Sequence, residues 1–348
     1  MTPAAAPLPV TLLTGFLGSG KTTLLNRLVR QPAFADCVVI VNEFGEIGLD
    51  NLLIEHVEES MRILDNGCVC CSVRGDLIDT LADLAERHAR GEMKFARAVI
   101  ETTGLADPAP IIHSLTVDPV LSSKWQLQAV VTTVDAVNGA ATLDAHPESV
   151  RQAGMADVIV LTKTDLAVAA RIEGLRRRVR SLNPQARFCQ PVDGELAKLL
   201  ANASFAQGWK EPELPAQEEP CHDDHHHDGH SSHDHHDHRH HENGLVAHCL
   251  VFDEPLEESA FLEWLDLLAA MRGENLLRVK GIIAVAGDPD RPRVVQCVQH
   301  VVHPVVTLAK WPSEDHRTRM VFIVQNTDVE VIERTFRRYG LGSTSATN

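Results

Sequence analysis

The sequence predicts an α/β fold in which a mostly parallel, doubly wound sheet is followed by a smaller α+β domain with an antiparallel sheet. The chain has 348 residues, and at roughly 150 residues per domain this length has room for two domains. Short apolar runs alternate with amphipathic stretches as far as residue 207, and the composition changes abruptly after Trp209. Alternating strands and helices are typical of a parallel sheet covered on both faces.

The first domain is predicted from six apolar runs, several of them continuous enough for strands that are buried on both faces. These candidate strands are residues 10–15, 37–43, 61–65, 96–101, 127–135 and 157–163. The stretches between them predict helices at residues 21–31, 73–90, 148–156 and 168–182.

A linker separates the two predicted domains. Residues 211–221 are rich in Pro and Glu, and residues 222–241 contain eleven His and five Asp with almost no apolar side chains, so this segment cannot bury a core. Beyond it, strands are expected at 244–252, 276–286, 293–302 and 319–325, and helices at 257–271 and 328–338. We therefore expect a first domain over 1–210, a disordered acidic His-rich linker over 211–243, a C-terminal domain over 244–341 and a tail over 342–348.

Composition and charge exclude several classes of protein. No run approaches the roughly 18 apolar residues of a membrane span, which excludes an integral membrane protein. Aromatic residues make up only 4% of the chain, which argues against a surface that stacks nucleic-acid bases. Residues 211–242 hold ten acidic residues and one arginine, so they carry nine of the sixteen net negative charges. The remaining body is also acidic and has no basic stripe, which argues against nucleic acid or a membrane surface as a partner.

The N-terminus and the cysteines indicate a reducing compartment. The first ten residues, MTPAAAPLPV, have neither the basic start nor the apolar stretch of a secretory signal, so we expect a cytoplasmic protein. Eight cysteines are present. Close clusters of cysteine in such a compartment bind metal or perform redox chemistry more often than they form disulfides.

A phosphate-binding loop is predicted between the first strand and the first helix. Residues 15–22, GFLGSGKT, match the pattern G-x-x-x-x-G-K-[ST] in the strand-loop-helix context that the motif requires. The glycines, Gly15 and Gly20 among them, let backbone N–H groups face phosphate oxygens. Lys21 can reach the outer phosphates, and the Thr22 hydroxyl can ligate Mg²⁺. The alternative is a glycine-rich turn that binds nothing.

The nucleotide is predicted to be GTP from a second motif, LTKTD at residues 161–165, at the end of the last buried strand of this domain. It resembles the N/T-K-x-D motif with which GTPases read the base. The Asp165 carboxylate can accept hydrogen bonds from the ring N–H and the amine of guanine, which adenine does not present in that arrangement. Thr162 stands where Asn is commoner, and Lys163 follows it.

Three thiols lie within four residues, at Cys68, Cys70 and Cys71, between a predicted strand and a predicted helix. Three thiolates on one turn can converge on a tetrahedral soft-ligand ion, with Zn²⁺ the first candidate and the fourth ligand left open. The alternatives are buried core cysteines or a redox pair, although the spacing is not C-x-x-C.

Five motifs, in this order, closely resemble those of the CobW-like metallochaperone GTPases: GFLGSGKTT (15–23), VNEFGEIGLD (41–50), NGCVCCSVRGDL (66–77), ETTGLADP (101–108) and LTKTD (161–165). The His-rich linker and the RVKG sequence at 278–281 extend the resemblance to most of the chain. The resemblance implies a P-loop GTPase of the SIMIBI class that depends on Mg²⁺ and holds a metal at its C-x-C-C motif. In zinc members of the family, the metal is transferred to a client protein.

The resemblance also implies residue roles. Phosphate and magnesium contacts fall to Gly18, Ser19, Gly20, Lys21, Thr22 and Thr23. One switch segment falls at residues 42–50 and a second at 101–107. Glu101, at the end of an apolar strand, is suited either to hold Mg²⁺ through water or to orient the attacking water; the alternative is a solvated strand-end carboxylate. The His tract is a compositional metal binder that does not select zinc.

We therefore expect a GTP-hydrolysing metallochaperone that passes zinc to a metal-requiring client protein, with cobalt delivery for cobalamin synthesis (Co²⁺) or activation of a metal hydratase as alternatives. A passive metal-storage protein and a small-molecule P-loop kinase are rivals from other classes. The sequence allows a homodimer and does not identify the client or the role of the C-terminal domain. The histidines of that domain are scattered: His248, His300, His303 and His316.

Overall fold

The computed structural model describes residues 6–42, 61–63, 69–73, 77–190, 194–201 and 244–341, and at residues 42, 61–63 and 69–73 it describes the backbone alone. Within these ranges, no helix is long and apolar enough to cross a membrane. Most of the predicted first switch, the predicted linker and the predicted tail lie outside the described residues.

The first domain is built around one eight-stranded sheet. Its strands are β1 (Leu8–Gly15), β2 (Cys37–Asn42), β3 (Met61–Ile63), β4 (Val69–Val73), β5 (Arg97–Thr102), β6 (Trp125–Asp135), β7 (Val158–Thr162) and β8 (Arg187–Cys189). Their spatial order is β3-β4-β2-β5-β1-β6-β7-β8, and all neighbours are parallel except β3 and β4. The predicted mostly parallel α/β fold is confirmed.

Helices cover both faces of this sheet. They are α1 (Lys21–Leu28), α2 (Leu77–Ala89), α3 (Ala109–Val117), α4 (Pro119–Lys124), α5 (Gly139–Ala145), α6 (Pro147–Met155), α7 (Ala169–Leu182) and α8 (Glu195–Ala201). Val38 and Ile40 pack with α2, α3 and α4 on one face, whereas Val39 packs with α1 and α8 on the other. Successive strand residues alternate between faces, which explains why the central strands are continuously apolar.

The second domain is an antiparallel sheet with helices. Its elements are β9 (Leu245–Phe252), α9 (Glu258–Arg272), β10 (Leu276–Ile283), β11 (Arg293–Val298), β12 (Val301–Val302), β13 (Val306–Thr307), β14 (Thr318–Gln325) and α10 (Val329–Thr335), followed by a π-helical turn, Phe336–Gly340. The strand order is β12-β11-β10-β14-β9, with β13 beside β11. The expectation of a smaller α+β domain with an antiparallel sheet is confirmed.

The two domains share an apolar core. Leu277, Val321 and Ile323 of the second sheet are buried together with side chains of α6 and α7, while α9 covers the opposite face of the same sheet. A buried ion pair crosses the boundary, because Arg278 of β10 donates to Asp157 and to the Met155 carbonyl oxygen. The second sheet is therefore buried on both faces.

Three features differ from the sequence-based prediction. Residues 69–73, expected in a turn and at the start of a helix, form β4 beside β2, and the helix that follows is described as Leu77–Ala89. The predicted strand 293–302 divides into β11 and β12, because the chain turns at Gln299 with a φ of 50°. The elements α3, α4, α5, α8, β8 and β13, of two to nine residues each, were not predicted.

Candidate functional site

The predicted phosphate loop connects the end of β1 to the start of α1. Gly15 ends the strand with a φ of 139°, and a side chain at this position would place its Cβ 2.6 Å from the carbonyl oxygen of Thr133. Ser19 Oγ lies 2.7 Å from Thr133 Oγ1. The loop is therefore anchored to the end of β6, and its first position accepts only glycine.

Lys21 lies at the mouth of this loop, on the first residue of α1. Its ammonium donates to the carbonyl oxygens of Gly15, at 2.9 Å, and Phe16, at 3.3 Å. The residue is only 8% exposed. A cation is thus held where a helix N-terminus already favours negative ligands. Gly18, Ser19 and Gly20 lie in the loop itself, and Thr23 is exposed on the first turn of the helix.

Thr22 and Glu101 meet although 79 residues separate them in the chain. The Thr22 hydroxyl donates to Glu101 Oε1 at 2.7 Å. Glu101 lies near the end of β5, 5% exposed, and β5 is the parallel neighbour of β1. A hydroxyl oxygen and a carboxylate oxygen are the ligand types that Mg²⁺ prefers in proteins, so these two residues fit a magnesium site next to the phosphate loop.

The residues predicted to read the base lie on the other side of the loop. Thr162, the last residue of β7, donates from Oγ1 to the Ser19 carbonyl oxygen at 2.6 Å. Lys163 follows in a left-handed conformation, with a φ of 55°. This turn leads into a short 3₁₀ segment, Thr164–Leu166, in which Asp165 is exposed. The structure therefore brings the LTKTD segment against the phosphate loop.

Asp135 was missed by the sequence analysis. Its Oδ2 accepts from Lys163 Nζ at 2.7 Å, and its Oδ1 accepts from the Val137 backbone N–H at 2.7 Å. Burial raises the pKa of Asp135, but the hydrogen bonds from Lys163 and from the amides of Val137 and Asn138 outweigh it and hold the pKa below its ordinary value. Its position at the end of a buried strand was the available signal.

A cavity of about 170 Å³ lies between these elements. Its walls include the phosphate loop from Phe16 to Ser19, the end of β6 with Asp135, Lys163, and Gln152 of α6. Charged and amide side chains thus line a single concave surface beside the phosphate loop, the arrangement expected of a nucleotide-binding site.

Two of the three predicted metal ligands, Cys70 and Cys71, have their backbone two strands away from Glu101. Cys70 and Cys71 belong to β4, in register with Val39 and Ile40 of β2, which in turn pairs with β5. Their backbone is thus in a strand rather than on the turn that we expected. Cys68 lies outside the described residues, as do the side chains of the other two. Among the side chains that the structure describes, no group of three or more His, Cys, Asp or Glu could hold a metal ion.

Comparison with known proteins agrees with this architecture. The family model of the CobW/HypB/UreG nucleotide-binding domain matches residues 9–190, and that of the cobalamin synthesis protein cobW C-terminal domain matches residues 245–339. The chain is 33% identical over 331 residues to the zinc chaperone YjiA of Escherichia coli, covering 95% of this chain and 98% of that protein.

A second relative and a solved structure of YjiA extend the comparison. The zinc chaperone CobW of Pseudomonas aeruginosa is 33% identical over 370 residues, covering 95% of this chain and 91% of that protein. The crystal structure of the Zn(II)-bound YjiA GTPase from E. coli has a TM-score of 0.72 at 30% identity and covers 96% of this chain and 99% of that one. The chain therefore belongs to the CobW/HypB/UreG family of nucleotide-binding proteins and carries the CobW C-terminal domain.

Proposed function

We propose that the protein is a GTP-hydrolysing zinc chaperone, which captures zinc at Cys68, Cys70 and Cys71 and transfers it to a metal-requiring client in a nucleotide-dependent manner. The observation that carries the proposal is the contact between Thr22 and Glu101 at 2.7 Å, because it joins the phosphate loop to the strand that leads into the second switch. The names of the relatives, zinc chaperones and a zinc-bound GTPase, supply the metal.

Phosphate binding rests on the loop and the helix that follows it. Backbone N–H groups of residues 15–20 and the N-terminus of α1 face the phosphates, and Lys21 neutralises their charge. Lys21 exchanges its present carbonyl acceptors for phosphate oxygens, which bind an ammonium more strongly because they are charged.

Hydrolysis requires that an attacking water and the γ-phosphate be held in line. Thr22 and Glu101 would hold Mg²⁺, and the chemistry that this ion supplies at such a site is neutralisation of the charge on the phosphate oxygens. Glu101 is buried at a strand end and held by the Thr22 hydroxyl, so its carboxylate keeps a fixed direction whether it acts on the ion or orients water.

Selection of guanine is assigned to the LTKTD segment. Asp165 is exposed two residues after Lys163, which lines the cavity, and its carboxylate can accept two hydrogen bonds from guanine. The Lys163 ammonium is bound by Asp135, and the left-handed backbone of Lys163 turns the chain into the segment that contains Asp165. Thr162 ties the same segment to Ser19, which fixes the distance between the base and the phosphates.

Zinc is cargo in this proposal. Cys71 aligns with Ile40 of β2, which aligns with Ile100 of β5, the residue before Glu101. Cys71 and Ile100 are therefore two inter-strand spacings apart, which is roughly 10 Å. A change in the segments around Glu101 would therefore act on the cysteine motif over a short distance, which supports coupling between nucleotide state and metal affinity.

The remaining assignments follow from this activity. We propose the division into a GTPase domain (1–210), a metal-binding linker (211–243) and a C-terminal domain (244–341) that contacts the client, in a cytoplasmic protein. The His tract would act as a reservoir. Delivery of cobalt and passive storage are the alternatives, and intact turnover motifs favour a GTPase over a storage protein.

Phosphate release from GTP and from ATP, measured at equal concentration with Mg²⁺, tests the activity. We expect GTP to be preferred and to yield free phosphate without any acceptor, unlike a small-molecule kinase. Lys21→Ala should lower the rate at least 100-fold, because the charge on the phosphates loses its counter-ion. Lys310→Ala, an exposed lysine in the C-terminal domain, is the matched control. Equal use of both nucleotides, or an unchanged rate in Lys21→Ala, would contradict the proposal.

A further inference from the structure

Helix α6 contacts three separate parts of the molecule. At its start, the ring of His146 stacks on that of Phe16 in the phosphate loop, with centroids 4.3 Å apart. At its end, Gly154 packs closely against Leu245, Leu277 and Ile323 of the C-terminal sheet, each within 3.5 Å of a Cβ built at that glycine. Between these ends, the helix contacts the loop 103–107 that follows Glu101. A single rigid element therefore connects the nucleotide site to the second domain.

Gln152 holds the loop 103–107 from within the core. This residue is fully buried, and its Nε2 donates to the carbonyl oxygens of Gly104, at 3.1 Å, and Ala106, at 3.0 Å. The backbone carbonyl oxygen of Gln152 accepts a hydrogen bond from Thr132 Oγ1 at 2.8 Å. Gln152 also lines the cavity beside the phosphate loop. The path of the loop is thus fixed by backbone contacts that do not depend on the loop's side chains.

Arg151 binds the same loop and the other domain at once. Its Nη1 donates to Asp107 Oδ2 at 2.8 Å, while its Nε donates to Gln325 Oε1 of β14 at 2.9 Å. Asp107 in turn accepts from the Ala109 backbone N–H at 2.9 Å, where α3 begins. Because a guanidinium offers its donors in a fixed fork, a shift of Gln325 must turn Arg151 and so displace Asp107.

The loop is also in contact with the phosphate loop. A Cβ built at Gly104 would lie 2.7 Å from the Cα of Leu17, so the two backbones touch. A displacement of Asp107, three residues further along, therefore reaches both the phosphate loop and the segment that leaves Glu101.

We propose that Arg151 is a positioning residue for hydrolysis, through which the C-terminal domain controls the loop 103–107. A client bound at the C-terminal domain would act on the nucleotide site by way of Gln325, Arg151 and Asp107. This inference rests on the proposed GTPase activity and assigns its regulation to the domain boundary.

A double-mutant cycle on Arg151→Met and Gln325→Leu tests the inference. We expect Arg151→Met to lower kcat about tenfold, with KM for GTP changed less than twofold, because the loop is misplaced while the nucleotide contacts stay. Gln325→Leu, in the other domain, should lower kcat about threefold. The double variant should match Arg151→Met alone, because Gln325 acts through Arg151. Arg178→Met, which breaks the exposed ion pair of Arg178 with Asp144 on the same domain, is the matched control and should keep the wild-type kcat.

Hydrogen exchange at residues 103–107 provides a readout that does not need turnover. We expect exchange to be faster than in the wild type in both Arg151→Met and Gln325→Leu, and to keep the wild-type rate in Arg178→Met. If the wild-type protein hydrolyses no GTP, the proposed function is contradicted. The exchange measurement still tests the relay, by which we mean the contacts from Gln325 through Arg151 to Asp107. Multiplicative losses of kcat in the double variant, or exchange at wild-type rates in Gln325→Leu, would overturn the relay.

Discussion

Lys280 is a buried amine whose removal should stabilise the protein at neutral pH. It lies in the middle of β10, between β11 and β14, and is 8% exposed. Burial lowers its pKa from 10.5 to about 8, Asp157 opposes this shift, and Arg278 and Arg187 add to it. At about 1.4 kcal/mol per pKa unit, the folded protein holds the charged amine at a cost of about 3 kcal/mol. Lys280→Met, similar in length and uncharged, should therefore raise the free energy of unfolding at pH 7 by up to about 3 kcal/mol.

The effect of Lys280 on the free energy of unfolding should depend on pH. The folded-state pKa lies below the unfolded-state pKa, so between pH 8 and 10.5 the unfolded chain binds more protons than the folded one. The wild-type protein should gain stability from Lys280 as the pH rises through this window, and the advantage of Lys280→Met should shrink. Urea unfolding followed by far-UV circular dichroism at pH 7 and pH 10 measures both values, with Lys310→Met as the exposed control. A variant that is less stable than wild type by the same amount at both pH values would refute the reasoning.

Three further predictions concern the nucleotide, the linker and a buried thiol. Asp165→Ala should weaken GTP binding at least tenfold and leave ATP binding unchanged, because hydrogen bonds to a charged group are lost; calorimetry that finds equal losses for both nucleotides would contradict this. Deleting residues 222–241 should lower the number of metal ions bound, measured by equilibrium dialysis, while basal GTP hydrolysis persists; loss of the fold would show that the tract is not a linker. Burial, with a contribution from Asp266, raises the pKa of Cys297 to about 12, so this thiol should resist alkylation at pH 8 until urea unfolds the protein, and labelling of Cys297 in the native state, read by mass spectrometry, would argue against its burial.

Local patterns carried most of what the sequence could predict. The phosphate loop was predictable because its residues are contiguous and because the strand and helix around it are strongly apolar. Glu101 was predicted as a site residue because it ends an apolar strand. Its contact with Thr22 is seen only in the structure, and it agrees with the rule that parallel strands bring their carboxyl ends to one edge of a sheet. The central strands were predictable because burial on both faces leaves a continuous apolar run.

Contacts between distant residues could not be predicted in this way. Arg151 reaches Asp107 across 44 residues and Gln325 across 174, and no local period marks such a pair. β4 was missed because cysteine and serine are weak strand signals, and its extended form depends on pairing with β2. Asp135 was read only as the end of a strand, since its partner Lys163 is supplied by a different strand end.

The central claim is that nucleotide state and metal affinity are coupled, and a zinc-competition titration tests it most directly. The protein without residues 222–241 would be titrated alone, with GDP and with a non-hydrolysable GTP analogue, beside a variant with Ser at Cys68, Cys70 and Cys71. We predict one tight zinc ion, lost in the serine variant, whose affinity differs between nucleotide states by about 5- to 150-fold, the usual range of allosteric coupling. Affinity should also fall as the pH falls, since thiolate ligands must lose their protons. Identical zinc affinity in all three states, or tight binding that survives in the serine variant, would contradict the account.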